Sequence, residues 1–401
     1  MERWIKLRSY NILRASENAV PADTLQVRLT QWLAIRRVRT TLFATTFLIT
    51  IVLSIHFIDL TNISHAVKQA TKQSSSPSES TTPSEPTLEA EDRVTWSDFA
   101  YIQYVTNENY LCNSLMILES LHRLQSKADR VMMYPQEWKI ADGIQTGTET
   151  GTQLETSRRL LIQARDEYNT KLIPISVQHL AKGDPTWQDS FTKLLAFNQT
   201  QYKRLISLDS DATVRQHMDE LFLSPSSPVA MPRAYWLDQP FLSSQLILLE
   251  PSAIEWQRIQ DYMNRQDSGF DMDILNAIYK DSCIILPHRP YNIISGEFRG
   301  AAEKHGKYLG SEEKWNGTAA YEEAKFIHFS DWPLPKPWIK ASDSSMAERQ
   351  PNCIKGVNGQ KEDCTDRDIW LGLYKNFSER RQRVCGRSYD KVTRKRSNRS
   401  R

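Results

Sequence analysis

Arg204-Leu205-Ile206-Ser207-Leu208-Asp209-Ser210-Asp211-Ala212-Thr213 is the stretch on which the reading of the whole chain turns. An apolar run ends here in two carboxylates, with one residue between them. With residues 205–208 as a strand, Asp209 and Asp211 project from the same side at its C-terminal end, where open α/β sheets place their ligand crevices. Two hard oxygen donors there suit Mn2+ or Mg2+. A strand end closed by an Asx turn, with both carboxylates solvated, would carry the same letters.

Moving outward toward the N-terminus, the chain alternates strand and helix patterns. Residues 99–105 read as a strand, 106–109 as a loop, and 110–124 as a helix with Leu115, Leu118 and Leu121 about a turn apart. A strand at 130–134, a helix around Leu160, Leu161 and Ile162, a strand at 172–177 and a helix at 187–197 complete the approach to Asp209. This βαβα rhythm predicts an α/β domain, a largely parallel sheet with helices on both faces. No G-x-G-x-x-G follows the first strand and no G-x-x-x-x-G-K-[ST] occurs, which excludes the usual dinucleotide and P-loop signatures.

Beyond the two aspartates, residues 228–236 and 243–249 read as strands and 251–264 as a helix. Phe270-Asp271-Met272-Asp273-Ile274-Leu275-Asn276 then opens an apolar helix with acidic and amide groups. Carboxylates in a first turn are ordinary capping and dipole partners. Lys325-Phe326-Ile327-His328-Phe329-Ser330-Asp331-Trp332-Pro333-Leu334-Pro335-Lys336-Pro337-Trp338 is less ordinary. A strand leaves into a proline-stiffened loop able to hold His328 and Lys336 toward one point. A histidine at a strand end also serves as a plain structural residue.

The ends of the chain set its context. Residues 1–39 carry eight basic and three acidic side chains, as a cytosolic tail would. Residues 40–58 hold no formal charge and approach the roughly 20 residues that cross a bilayer. Arg36, Arg37 and Arg39 flank that run, so the positive-inside rule puts the N-terminus in the cytosol and the rest of the chain in the lumen. Residues 59–95, rich in Ser, Thr, Pro and Glu, read as a stem without a core. Sequons at Asn62, Asn198, Asn316, Asn376 and Asn398 all fall on the lumenal side.

A formal net charge of +3 is too balanced to argue for nucleic acid. Cys112, Cys283, Cys353, Cys364 and Cys385 show no zinc spacing, and their odd number leaves at least one unpaired. In an oxidising lumen Cys353 and Cys364 could pair, or Cys364 and Cys385. Residues 366–383 predict a docking helix through Ile369, Trp370, Leu373, Tyr374 and Phe377. The ten Lys/Arg of residues 380–401 predict a disordered basic tail.

Taken in order, these features resemble glycosyltransferase family 8, the glycogenin-like retaining enzymes of GT-A fold. The resemblance covers about residues 97–340, with 96–340 as the catalytic domain, 341–386 as a C-terminal extension with a helix and 387–401 as the basic tail. Its motifs are Val105-Thr106-Asn107-Glu108-Asn109-Tyr110, Lys193, Leu208-Asp209-Ser210-Asp211, Asp271-Met272-Asp273-Ile274-Leu275-Asn276, and the loop from His328 to Lys336-Pro337-Trp338. The ending from Asp368 to Tyr374 and from Arg380 to Gly386 is similar to fungal Golgi N-acetylglucosaminyltransferases.

The resemblance implies a mixed, mainly parallel nucleotide-diphospho-sugar transferase sheet. It implies Asp209, Asp211 and His328 as metal ligands, with Mn2+ fitting an imidazole beside two carboxylates better than Mg2+. Tyr110 would stack near uracil, Thr106 and Asn107 would contact the nucleotide, and Lys193 and Met272 would line the substrate site. Lys336 would face the diphosphate and Asp271 the sugar. Met272 departs from the family, which commonly has Gln there, so that hydrogen bond to the sugar is lost. The implied partners are a UDP-sugar donor, a glycan or glycoprotein acceptor and the Golgi membrane, with no nucleic acid. A catalytically silent glycan-binding or scaffolding relative is the alternative. A phosphate-ester hydrolase is a third possibility, weakened by the lack of the clustered ligands a two-metal centre needs.

Overall fold

Residues 94–138, 153–179, 188–265, 269–300, 304–355 and 362–386 are described in the computed structural model. The expected cytosolic tail, membrane anchor, stem and basic tail lie outside them, apart from Val94 and Thr95. Among the described residues no helix is long and apolar enough to cross a membrane.

Strands buried on both faces build the main sheet. In β1 (Phe99–Tyr104), Ala100 and Ile102 face one core cluster and Tyr101 another. Helix α1 (Glu108–Arg123) returns the chain to β2 (Asp129–Pro135), and α2 (Gln153–Tyr168) to β3 (Thr170–Ile175). Then come β4 (Arg204–Leu208), β5 (Ala212–Val214), β6 (Val229–Pro232) and β7 (Leu246–Leu249). After α3 (Ala253–Met263), α4 (Asp271–Tyr279) and β8 (Ile284–Leu286), the sheet is complete in the order β3-β2-β1-β4-β7-β6-β8. Strand β7 runs antiparallel to both its neighbours β4 and β6, and the other pairings are parallel.

Helices cover both faces. The segment Ser190–Asn198, with α3 and α4, packs against Ala100, Ile102, Val131, Met133 and Leu205. On the other face α1 and α2 meet Met132 and Tyr134. Past β8 the chain makes short turns α5 (His288–Tyr291), β9 (Ile293–Ile294), α6 (Gly306–Leu309) and α7 (Gly317–Glu323), then β10 (Phe326–His328), α8 (Asp343–Arg349) and α9 (Thr365–Cys385). A second sheet, β5-β10-β9, joins β5 and β10 antiparallel.

Several expectations need correction. The pattern over residues 187–197 predicts an α-helix, whereas Ser190–Asn198 is a 3-10 helix. A period of three stacks Phe191, Leu194 and Phe197 into the core and puts Ser190 and Lys193 on another edge, which a 3.6-residue period would not align. Cys364 does not pair with Cys385: the bridges are Cys353–Cys364 and Cys112–Cys385, and Cys283 stays free. The basic run does not begin at residue 380 as a solvated tail. Arg380 and Arg381 are buried in α9, where Arg380 donates Nη2 to Met116 O and Ser120 Oγ of α1, and Arg381 donates Nη1 to Asn113 Oδ1. The strands expected at 228–236 and 243–249 are shorter than the hydrophobic runs suggest. Among the sequons, Asn198, Asn316 and Asn376 are exposed.

Candidate active site

Strand β4 ends at Leu208, and the chain turns through Asp209 and Asp211 into β5. Backbone bonds hold this turn from both sides, Asp209 N–H to Gln245 O and Phe329 N–H to Asp211 O, each 2.9 Å. Buried Gln103 of β1 adds a third, donating Nε2 to Leu208 O at 2.8 Å. The β5–β10 ladder sets His328 opposite Ala212. His328 Nε2 therefore lies 3.1 Å from Asp211 Oδ1 and 3.7 Å from Asp209 Oδ2. One ligand atom from each of the three residues falls within 4.8 Å of the others. Two carboxylates and an imidazole, converging at this spacing, fit a divalent cation.

Lys193 joins the two acidic motifs. Its ammonium, only 3% exposed, sits 2.6 Å from Asp209 Oδ1 and 2.7 Å from Asp271 Oδ2, and donates to Ser244 O at 3.0 Å. Burial works against the Lys193 charge, but Asp209 and Asp271 outweigh it and raise its pKa. With its donors engaged by protein oxygens, Lys193 fixes Asp209 and Asp271 relative to each other. Asp271 is held from a second side, its backbone N–H donating to Ser190 Oγ at 3.2 Å. Asp273 does what a first-turn carboxylate ordinarily does and accepts from Phe270 N–H at 3.4 Å.

On the opposite flank Lys336 pairs with Asp211 Oδ2 and donates to Phe329 O at 3.3 Å. Burial raises the Asp211 carboxyl, yet His328 and Lys336 prevail and hold it well below the usual range. Asp209 differs. Desolvation dominates the opposing Lys193 charge, and its pKa is raised.

Asn107 caps α1, its Oδ1 accepting from Asn109 N–H at 3.1 Å and Tyr110 N–H at 3.4 Å. Thr106 adjoins it, with Asn107 Nδ2 3.5 Å from Thr106 Oγ1. Tyr110 meets the Trp338 ring edge-on at 5.4 Å, and its hydroxyl pKa is raised by burial and then by Asp211 and Asp209. Thus residues 106–110 and the 328–338 loop reach the same place. Met272, half-buried on α4, accepts through its carbonyl from Asn276 Nδ2 at 2.8 Å. Asn276 also clasps Leu242 through its N–H and carbonyl, anchoring the helix that carries Asp271.

Sequence reasoning missed the residue that organises the loop. Asp331 is buried and accepts from Trp370 Nε1 at 3.0 Å, Tyr374 OH at 3.0 Å, Arg299 Nη1 at 3.2 Å and Ser295 Oγ. It ties α9 to the segment between His328 and Lys336. A carboxylate amid Trp and Pro was the available signal. Gln103, Ser190 and Ser244 carried none.

No family model matches the chain. The protein named glucose N-acetyltransferase 1 in Aspergillus fumigatus is 40% identical over 312 residues, covering 73% of this chain and 78% of that protein. The chain belongs to the glucose N-acetyltransferase 1 family. The glucose N-acetyltransferase 1 of Gibberella zeae is 54% identical over 299 residues, and the match covers 73% of this chain but 63% of that longer protein. The chain is also similar to glycogenin-1 of Caenorhabditis elegans, 25% identical over 248 residues, covering 58% of this chain and 54% of that protein. Among solved structures, the apo-form glycosyltransferase GlyE of Streptococcus pneumoniae aligns over 72% of this chain and 63% of its own, with a TM-score of 0.44 and 15% identity. The bifunctional WbbM protein gives a TM-score of 0.44 and 15% identity over 71% and 49%. These structural likenesses are too weak to add to the topology already described.

Proposed function

We propose that this chain is a retaining glycosyltransferase that moves N-acetylglucosamine from UDP-N-acetylglucosamine to a glycan, the mannose terminus of an N-linked chain. The observation that carries the reading is the convergence of Asp209, Asp211 and His328 within 4.8 Å, with the Lys336 ammonium paired to Asp211 at the same edge. Asp209, Asp211 and His328 would hold a divalent ion, Mn2+ in preference to Mg2+, which when bound supplies positive charge for the donor diphosphate.

The chain's own groups account for the rest. Leaving-group departure makes an anionic diphosphate, and Lys336 offers a second positive charge without a proton transfer. Lys193 keeps the Asp209 and Asp271 carboxylates in register across the two motifs. Asp271 positions the sugar or offsets positive charge at its anomeric carbon. Thr106, Asn107 and Tyr110 line the nucleotide side. With Met272 in place of an amide, the chain lacks one hydrogen bond to the reacting sugar. The acceptor hydroxyl's proton passes to a departing phosphate oxygen as the new bond forms, so no separate general base is needed.

The relatives' name describes acetyl transfer to glucose. A cluster of two carboxylates, an imidazole and a lysine favours a metal-bound diphosphate over an acyl carrier. The uncharged run 40–58 behind Arg36, Arg37 and Arg39 supports a single-pass type II anchor with the folded domain in the Golgi lumen. Two disulfides fit that oxidising compartment.

Calorimetric titration of UDP tests the donor site. Binding in Mn2+ that weakens at least tenfold in EDTA and in Asp211→Ala supports it. Equal UDP binding with and without the metal would sink it.

A further inference from the structure

A second basic centre lies beyond the donor cluster. Between α1, α9, α7 and the end of β5 is a cavity of about 470 Å3, lined by Glu119, Arg123, Arg215, Tyr321, Arg380 and Arg383 among others. That volume falls in the roughly 300–1,000 Å3 range of small-molecule sites. Four guanidinium groups face one carboxylate. Glu119 Oε1 stands 3.6 Å from both Arg123 Nε and Arg383 Nη2, shared between two cations and too distant for a good hydrogen bond to either.

The other two arginines carry the inference. Arg380 is 4% exposed; its Nη2 is used by Met116 O and Ser120 Oγ, and its Nε has no hydrogen-bond partner among the described residues. Arg215 lays its guanidinium 3.5 Å from the centroid of the Tyr321 ring, and its buried Nη1 likewise has no partner among the described residues. Neither meets a carboxylate within ion-pair distance among the described residues. Buried cations are normally paired, because an uncompensated charge away from water is costly. Burial lowers the Arg380 pKa to about 10, with Glu119 opposing the shift and Arg123 and Arg383 adding to it.

An anion brought from outside would supply the partner that Arg380 Nε and Arg215 Nη1 lack among the described residues. Several guanidinium forks around one space match the tetrahedral, multiply charged phosphate better than a carboxylate. The Tyr321 ring and Leu373 supply an apolar wall that a bare ion would not need. We propose that this cavity is a phosphate-binding site, taking free phosphate or the phosphate ester of a sugar. The site is separate from the donor cluster but shares its scaffold. Arg215 follows the β5 strand that begins beside Asp211, and Val214 pairs with Phe326 on the β10 strand that ends at His328. The inference does not rest on the glycosyltransferase reading and is read without turnover.

The test is calorimetric titration of the full-length protein in EDTA, at fixed ionic strength, with inorganic phosphate, a hexose 6-phosphate and the unphosphorylated hexose. One phosphate per chain should bind. Affinity should fall at least about tenfold in the Arg215→Gln/Arg383→Gln protein and stay unchanged in Asp211→Ala. Arg123→Gln, at a half-exposed position, gives a second variant that does not disturb the buried contacts and should weaken binding several-fold. A hexose 6-phosphate that binds tighter than phosphate assigns the esterified ligand, and equal affinity assigns the free ion. No binding of either phosphate, or equal binding by wild type and the folded arginine variants, overturns the proposal.

Discussion

Replacing Lys193 with methionine removes an ammonium while keeping the length of its stem. The Lys193 nitrogen lies 2.6 Å from Asp209 and 2.7 Å from Asp271. At an effective dielectric near 20, each contact has a gross attraction of roughly 6 kcal/mol. Much of this is offset, because the methionine no longer needs to be stripped of water. The remainder is the cost of the buried Asp271 and the partly buried Asp209 carboxylates left without their shared cation, about 3–5 kcal/mol by analogy with other broken buried pairs. Urea unfolding of wild type and Lys193→Met, followed by far-ultraviolet circular dichroism, measures it as a shift in midpoint at constant slope. A loss below about 1 kcal/mol would refute the bridging role, since a surface ion pair is worth no more than that. Solvent would then have to reach Lys193 in a way its burial excludes.

Asp331→Asn turns one acceptor of the four-donor cluster toward Trp370 and Arg299 as a donor; about 2–4 kcal/mol of stability and most transfer activity should be lost, read by urea unfolding and UDP release. Reducing agent should lower the melting temperature, because Cys112–Cys385 closes a sequence separation of 273 residues and is worth about 2–5 kcal/mol; an unchanged melting temperature in dithiothreitol contradicts this. Burial pushes the Cys283 thiol from 9.0 up to about 11. Iodoacetamide at pH 8.5 should therefore label folded protein about a hundredfold more slowly than unfolded protein. The sign for stability follows: between pH 9 and 11 the unfolded thiol has lost its proton and the folded one keeps it, so this group lowers stability as pH rises through that window.

What the sequence showed best was local. An apolar run ending in Asp209 and Asp211, and a short strand ending in His328, can each be read directly from neighbouring residues. Their meeting depends on β5 and β10 pairing, which joins residues more than a hundred positions apart. The Lys193 bridge was less legible, because Asp271 lies 78 residues away and its helix-opening position suggested simple capping. Arg380 and Arg381 misled for a related reason. In a basic ending they look solvated, and only their docking on α1 reveals buried donors. Cys112 offered no hint of Cys385, since disulfide partners follow from the packing of α1 against α9 and not from spacing.

The most direct test is UDP release by the purified protein in Mn2+ with a panel of UDP-sugars, with and without a mannan acceptor. Release should select UDP-N-acetylglucosamine, rise with acceptor, and vanish in Asp211→Ala and in EDTA. Folded protein that binds Mn2+ yet releases no UDP from any donor would contradict the transferase and leave a glycan-binding relative.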